Sequence, residues 1–147
     1  MLVVDDDPDL RRLLEIFLVR QGMEVSCAHD GATALHAAAT SAPDVVLLDL
    51  GLPDIPGMEV LRTLRAAGDP PAIVVMTGQP TYEAAVLALQ HGADNFVTKP
   101  LDLDLLQEIL RKAAQSSHLR RRLLSSAPLA LEQLRLCPSP AMRRLVQ

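Results

Sequence analysis

Tryptophan is absent, and Phe17, Tyr82 and Phe96 are the only aromatic residues in 147. That excludes a stacking platform for single-stranded nucleic acid, which needs several aromatic faces in a row. Cysteine is almost as scarce. Cys27 and Cys137 lie far apart in the chain, too few for a thiolate metal centre or a disulfide scaffold, and a reducing cytoplasm is the expected compartment. No apolar run approaches the roughly 20 residues of a membrane helix, and no secretory leader pattern is present, so the chain is expected to be soluble with no membrane partner. Aliphatic residues, by contrast, are plentiful. Hydrophobic residues make up 49% of the chain, enough for the core of one sizeable domain.

The net charge of -4 conceals an asymmetry. Residues 1 to 100 carry 14 acidic and 6 basic side chains, whereas residues 101 to 147 carry 4 acidic and 8 basic. The two parts are expected to do different work. The acidic part repels phosphate backbones, and no DNA-binding face is expected there.

Short unbroken apolar runs at Leu2 to Val4, Val45 to Leu48 and Ile73 to Met76 read as strands buried on both faces of a parallel sheet. Met23 to Ala28 and Asn95 to Thr98 are weaker strand candidates. Helix-like segments alternate with them. Leu10, Leu13, Leu14, Phe17 and Leu18 mark one helix face; Ala34 to Ala39, Leu61 with Leu64, and Ala85, Val86 and Leu89 mark three more. Leu106, Ile109, Leu110 and Ala113 open a last helix, expected to run from near Asp102 to about Ser126. Gly22, Asp30-Gly31, Pro53 to Gly57, Gly68 to Pro71 and Gly92 are expected to fall between elements as turns. Five strands, each followed by a helix, predict a doubly wound α/β domain with right-handed crossovers. Ligands of such sheets bind at the carboxyl ends of the strands.

Chemistry-bearing residues collect at that edge. Asp5, Asp6 and Asp7 follow the first strand, and three adjacent carboxylates either splay into solvent at a helix start or are held by a hard cation with oxygen ligands. Asp49 closes the most apolar strand, where a lone buried carboxylate would be costly. A metal site shared by Asp5, Asp6 and Asp49 accounts for all three. Thr77 ends the fourth strand and Lys99 the fifth. Taken singly, Thr77 can be a turn cap and Lys99 a solvated lysine; together with three acids at one edge they indicate a site.

The motifs VVDDD, VVLLDLGLPDIPG, VVMTG and NFVTKP, in this order and spacing, resemble the receiver domain of a two-component response regulator over residues 1 to about 120. The resemblance implies a flavodoxin-like five-stranded sheet of order 2-1-3-4-5, with helices on both faces and a C-terminal helical linker. It implies Asp49 as phosphoacceptor from a histidine kinase or small phosphodonor. Mg²⁺ would be held by Asp5, Asp6, Asp49 and the backbone carbonyl of Gly51, with Asp6 a direct ligand. Thr77 and Lys99 would contact the phosphoryl oxygens, Thr77 and Phe96 would form a switch, and the Lys99-Pro100 bond would be cis. For Phe96 an ordinary core role remains an equal alternative.

The tail CPSPAMRRLVQ resembles the opening of the AAA+ ATPase domain of NtrC-type, sigma-54-dependent activators. It implies a linker over 121–138 and the start of an ATPase domain over 139–147, with Ser139 as N-cap and Pro140 opening the helix. Sigma-54 RNA polymerase and DNA would then be reached only through domains missing from this chain. No GxxxxGK[ST] loop occurs in the sequence, so no ATPase activity is expected of it. A homodimer is expected, the last helix carrying more apolar positions, Leu103 and Leu105 among them, than one sheet-facing stripe requires. Arg120 to Arg122 read as a solvated face, Met58 and Met76 as core filler, and the four histidines receive no role. Two enzyme classes fit poorly: a haloacid-dehalogenase-type phosphatase requires an aspartate where Gly51 stands, and a dinucleotide cradle requires glycines where DDDPD stands. A pseudo-receiver that binds without turning phosphate over is the remaining alternative, as is a receiver of another output class.

Overall fold

The computed structural model describes residues 1–126, with side chains through Ser117. Strands and helices alternate as β1 (Leu2–Val4), α1 (Pro8–Arg20), β2 (Ser26–Ala28), α2 (Gly31–Ser41), β3 (Val45–Asp49), α3 (Gly57–Arg65), β4 (Ala72–Thr77), α4 (Tyr82–Gln90), β5 (Asn95–Thr98) and α5 (Leu103–Ser126). All strand pairs are parallel, and the sheet order is β2-β1-β3-β4-β5. The expected doubly wound architecture is the one observed. The linker and ATPase-start expectations over 121–147 lie outside the described residues, apart from the backbone of α5 as far as Ser126.

Strand alternation divides the core into two layers. Leu2, Val4, Val46, Leu48, Ile73 and Val75 face Ala34 of α2, Val60, Leu61 and Leu64 of α3 and Ala88 of α4. Val3, Val45, Leu47, Val74 and Met76 face the other way, onto Leu14 and Leu18 of α1 and Leu106 and Leu110 of α5. Both faces of the three central strands are therefore covered, which is why their sequences run apolar without alternation.

Several local expectations need correction. Only Ser26–Ala28 of the run Met23 to Ala28 forms strand; this is an edge strand with one neighbour, and it pairs only opposite the three residues of β1. Leu13, expected inside, is 50% exposed, because Leu14 and Leu18 fill the narrow stripe beneath α1. In α4 the buried position is Ala88, while Leu89 is 52% exposed. Gly31 and Gly57 are not between elements but open α2 and α3. At Gly57 the need is close approach: a Cβ there would lie 2.4 Å from the Leu50 Cα. Met76 is buried and Met58 packs against the α2–α4 layer, in line with a filling role.

Candidate functional site

The three adjacent aspartates after β1 have three different fates. Asp7 caps α1, accepting hydrogen bonds from the N–H groups of Asp9 and Leu10, with Pro8 as the first helical residue. Asp5 turns inward with no exposed surface. Its backbone is fixed by its N–H donating to the Ala28 carbonyl at 3.2 Å and by its carbonyl accepting from the Arg11 guanidinium at 2.7 Å. Asp6 stays exposed at the rim. The helix-starting reading of the triplet thus holds for Asp7, while its neighbours Asp5 and Asp6 are the two that lie beside Asp49.

Asp49 ends β3 with 5% exposure, and β3 pairs with β1 on one side and β4 on the other. This central place brings it to the residues after β1. Carboxylate oxygens of Asp5, Asp6 and Asp49 lie within 4.8 Å of one another. The donor set is all hard oxygen, at a spacing one cation can span, and it fits Mg²⁺. Asp49 Oδ1 also accepts the Gly51 N–H at 3.1 Å, so the residue two beyond the acid folds back over it. Burial pushes the Asp49 carboxyl above its ordinary value, aided by the charge of Asp5, while the Gly51 N–H and Lys99 pull the other way.

Lys99 reaches this cluster from the end of β5. Its ammonium lies 2.7 Å from Asp5 Oδ2 and 3.2 Å from Asp49 Oδ2, so it is not a solvated loop lysine. Burial alone would lower its pKa, but the hydrogen bond to Asp5 and the charges of Asp49 and Asp5 outweigh that and hold it above the ordinary value. The backbone N–H of Lys99 donates to the Thr77 carbonyl at 2.8 Å, and the Lys99-Pro100 peptide is cis, as the motif implied. Thr77 is nearly buried, and its Oγ1 accepts the Gln79 N–H at 3.1 Å. That is the turn-capping arrangement. Phe96 pairs with Val75 and Thr98 with Thr77, so Phe96 and Thr77 point to the same face of the sheet, towards α4. Phe96 is half-buried against the α2–α4 layer.

A match to the sequence model of the response regulator receiver domain runs over residues 1–111. The chain belongs to that family. It is 38% identical over 123 residues to the regulatory protein AtoC of Escherichia coli, covering 84% of this chain and 27% of AtoC. It is 44% identical over 115 residues to the transcriptional regulatory protein KdpE of Mycobacterium tuberculosis, covering 78% of this chain and 50% of KdpE. The crystal structure of NtrX from Brucella abortus superposes with a TM-score of 0.77 at 32% identity, covering 92% of this chain and 33% of that one. The receiver therefore spans between about a quarter and a half of the length of these relatives. Receiver domains accept phosphoryl groups from histidine kinases, bind Mg²⁺ at an aspartate cluster and often dimerise. No described helix of this receiver is long and apolar enough to cross a membrane.

The sequence left two participants unseen. Arg11 holds the Asp5 carbonyl, and Asp54 grips the start of α2 through the N–H groups of Gly31 and Ala32. A visible signal existed for Arg11, which falls one helical turn beyond the Asp7 cap. None existed for Asp54, whose partners lie 22 and 23 residues away.

Proposed function

We propose that this receiver is a phosphorylation switch whose acceptor is Asp49. The reading is carried by one observation: a nearly buried carboxylate at the strand edge is flanked by two further acids and by the Lys99 ammonium. Asp5, Asp6, Asp49 and the Gly51 carbonyl would hold Mg²⁺, which supplies charge neutralisation for the phosphoryl oxygens. An Asp49 carboxylate oxygen attacks phosphorus in line as the bond to the donor's imidazole nitrogen or acetate oxygen breaks. Lys99 balances the charge that collects on the phosphoryl oxygens, a task of positioning and electrostatics rather than covalent chemistry. Thr77 exchanges its Gln79 N–H partner for a role as donor to a phosphoryl oxygen, drawing the loop before α4 inward. Phe96, on the same face, follows into the space released.

The kinase partner, the cytoplasmic setting and a homodimer belong to the same proposal. The dimer surface is α4, β5 and α5, where Tyr82, Leu87, Leu89 and Leu105 are exposed. For the output, a sigma-54-dependent transcription activator is favoured by the CPSPAM segment and by the likeness to NtrX, which extends over 92% of this chain. In that reading residues 121–138 are the linker and residues 139–147 the start of the ATPase domain, and the polymerase and DNA are met by that output part. A receiver of another output class is the second reading, supported by the 44% identity to KdpE.

Intact mass after incubation with Mg²⁺ and acetyl phosphate tests the switch. One adduct of ~80 Da is expected on the parent and none on Asp49→Asn. Calorimetry on Asp6→Ala is expected to show weakened Mg²⁺ binding. Persistence of the adduct in Asp49→Asn, or its location on a serine, threonine or histidine, defeats the proposal.

A further inference from the structure

The connection from β3 to α3 leaves Asp49, carries Gly51 past the acidic cluster and enters α3 at Gly57. Backbone hydrogen bonds hold its ends: the Leu50 N–H donates to the Met76 carbonyl at 3.1 Å, and the Gly57 N–H donates to the Leu50 carbonyl at 3.3 Å. Between them the Gly51 N–H donates to Asp49 Oδ1, Leu52 and Ile55 pack against the core, and one further side chain ties the loop to a neighbouring element. Asp54 Oδ1 accepts the Gly31 N–H at 2.8 Å and Oδ2 accepts the Ala32 N–H at 3.0 Å.

Those two N–H groups open α2 and have no partner within the helix. Yet α2 already has its own cap, Asp30, whose Oδ1 accepts the Thr33 N–H at 2.8 Å. Asp54 is thus a second carboxylate brought to the same helix end from a remote loop. The approach is tight: a Cβ on Gly31 would lie 2.9 Å from the Ile55 Cβ and 3.3 Å from Asp54 Oδ1. The N–H groups of Ala32 and Gly31 hold the Asp54 carboxyl at about 2, so the grip is made by a full anion at neutral pH. The partial positive charge of the helix start acts in the same direction.

The geometry points to Asp54 as a positioning residue of the phosphoryl site, which fixes the loop carrying Gly51 by fastening it to the start of α2. This rests on the reading of Gly51 and Asp49 as metal ligands. Asp54 touches neither metal nor phosphoryl group; it acts through the loop. Released from α2, the part of the loop around Asp54 gains conformational freedom, and Mg²⁺ binding must then bear the entropy of ordering it.

Three variants test this: Asp54→Ala, Asp54→Asn and, as control, Asp30→Ala. Asp30→Ala removes the helix's own cap without touching the loop. Mg²⁺ affinity by calorimetry is expected to fall about tenfold in Asp54→Ala, a magnitude typical of lost support behind metal ligands. Asp54→Asn, which keeps one carbonyl acceptor, should recover part of it. Asp30→Ala is expected to lower the melting temperature while leaving Mg²⁺ affinity at the parent value. In the metal-free protein the Gly31 and Ala32 amide resonances should move in both Asp54 variants. Phosphorylation by acetyl phosphate should be slowed at limiting Mg²⁺ and recover at saturation. Parental Mg²⁺ affinity in folded Asp54→Ala, or an equal loss in Asp30→Ala, overturns the inference. Should Asp54→Ala not fold, parental affinity in Asp54→Asn overturns it. A parent that takes no phosphoryl group would instead defeat the switch proposal, and the affinity comparison among the variants would still decide the role of Asp54.

Discussion

The ammonium of Lys99 stands 2.7 Å from Oδ2 of Asp5, a side chain with no exposed surface. It is placed where a cation must be, because Asp5 and Asp49 approach one another with too little water to screen them. Removing it leaves buried carboxylates without compensation. Lys99→Ala is therefore expected to cost about 3 kcal/mol of metal-free stability, measured by urea unfolding. Added Mg²⁺ should restore most of that loss and bind at least as tightly as in the parent, since one positive charge has left the site. The phosphoryl adduct should form more slowly.

The same pair sets an alkaline limit. The Lys99 pKa is raised in the folded protein above its ordinary 10.5. Its contribution is complete below that value and is lost as pH rises through the higher folded one. The stability gap between parent and Lys99→Ala, followed by thermal melts without metal, is thus expected to be constant at neutral pH and to shrink above about pH 10.5. A gap that closes already near pH 8 would contradict the assignment.

Gly57 separates steric from conformational reasons for glycine. A methyl group there would meet the Leu50 Cα at 2.4 Å and the Leu50 carbonyl oxygen at 2.7 Å, and neither backbone atom can swing aside. Gly57→Ala is expected to lose about 3 kcal/mol, the upper range for overpacking. Gly78, beside Thr77, has nothing within 4 Å of its added Cβ. Gly78→Ala should change stability by less than about 0.5 kcal/mol.

Thr77 serves the resting state as a cap for the Gln79 N–H. Thr77→Ala forfeits one hydrogen bond, about 1 kcal/mol, and should still accept a phosphoryl group on Asp49. What it should lose is the response: amide resonances of residues 78, 79 and 81–84 are expected to shift on phosphorylation in the parent and in Thr77→Ser, and to stay in place in Thr77→Ala.

Leu105 is 56% exposed on α5, on the surface proposed for the dimer. Sedimentation of Leu105→Asp is expected to give a monomer under conditions where the parent is dimeric. Leu13→Asp, on α1, should leave the dimer intact. A parent that stays monomeric with and without phosphodonor, at high concentration, would remove the homodimer altogether.

Composition and the order of apolar runs were enough to predict a doubly wound α/β fold and to place Asp5, Asp6, Asp49, Thr77 and Lys99 at one edge of its sheet; the strand order was implied by the resemblance of the motifs. Val45 to Leu48 and Ile73 to Met76 could be read as central strands because both of their faces are covered, so apolarity needs no alternation. Asp49, Thr77 and Lys99 could be placed at one edge because parallel strands all end on the same side of the sheet. Only the tertiary structure decided how those members meet. Asp5 rather than Asp7 turns inward because the Ala28 carbonyl and the Arg11 guanidinium fix its backbone. Leu13 lies outside because Leu14 and Leu18 already fill the space beneath α1. Asp54 finds α2 only because α2 crosses β1 to pack beside α3 on the same face of the sheet, which brings the start of α2 to the loop that leads into α3. Sequence periodicity reports which face of an element is apolar; it carries no term for two loops that share an edge of the sheet from 22 residues apart.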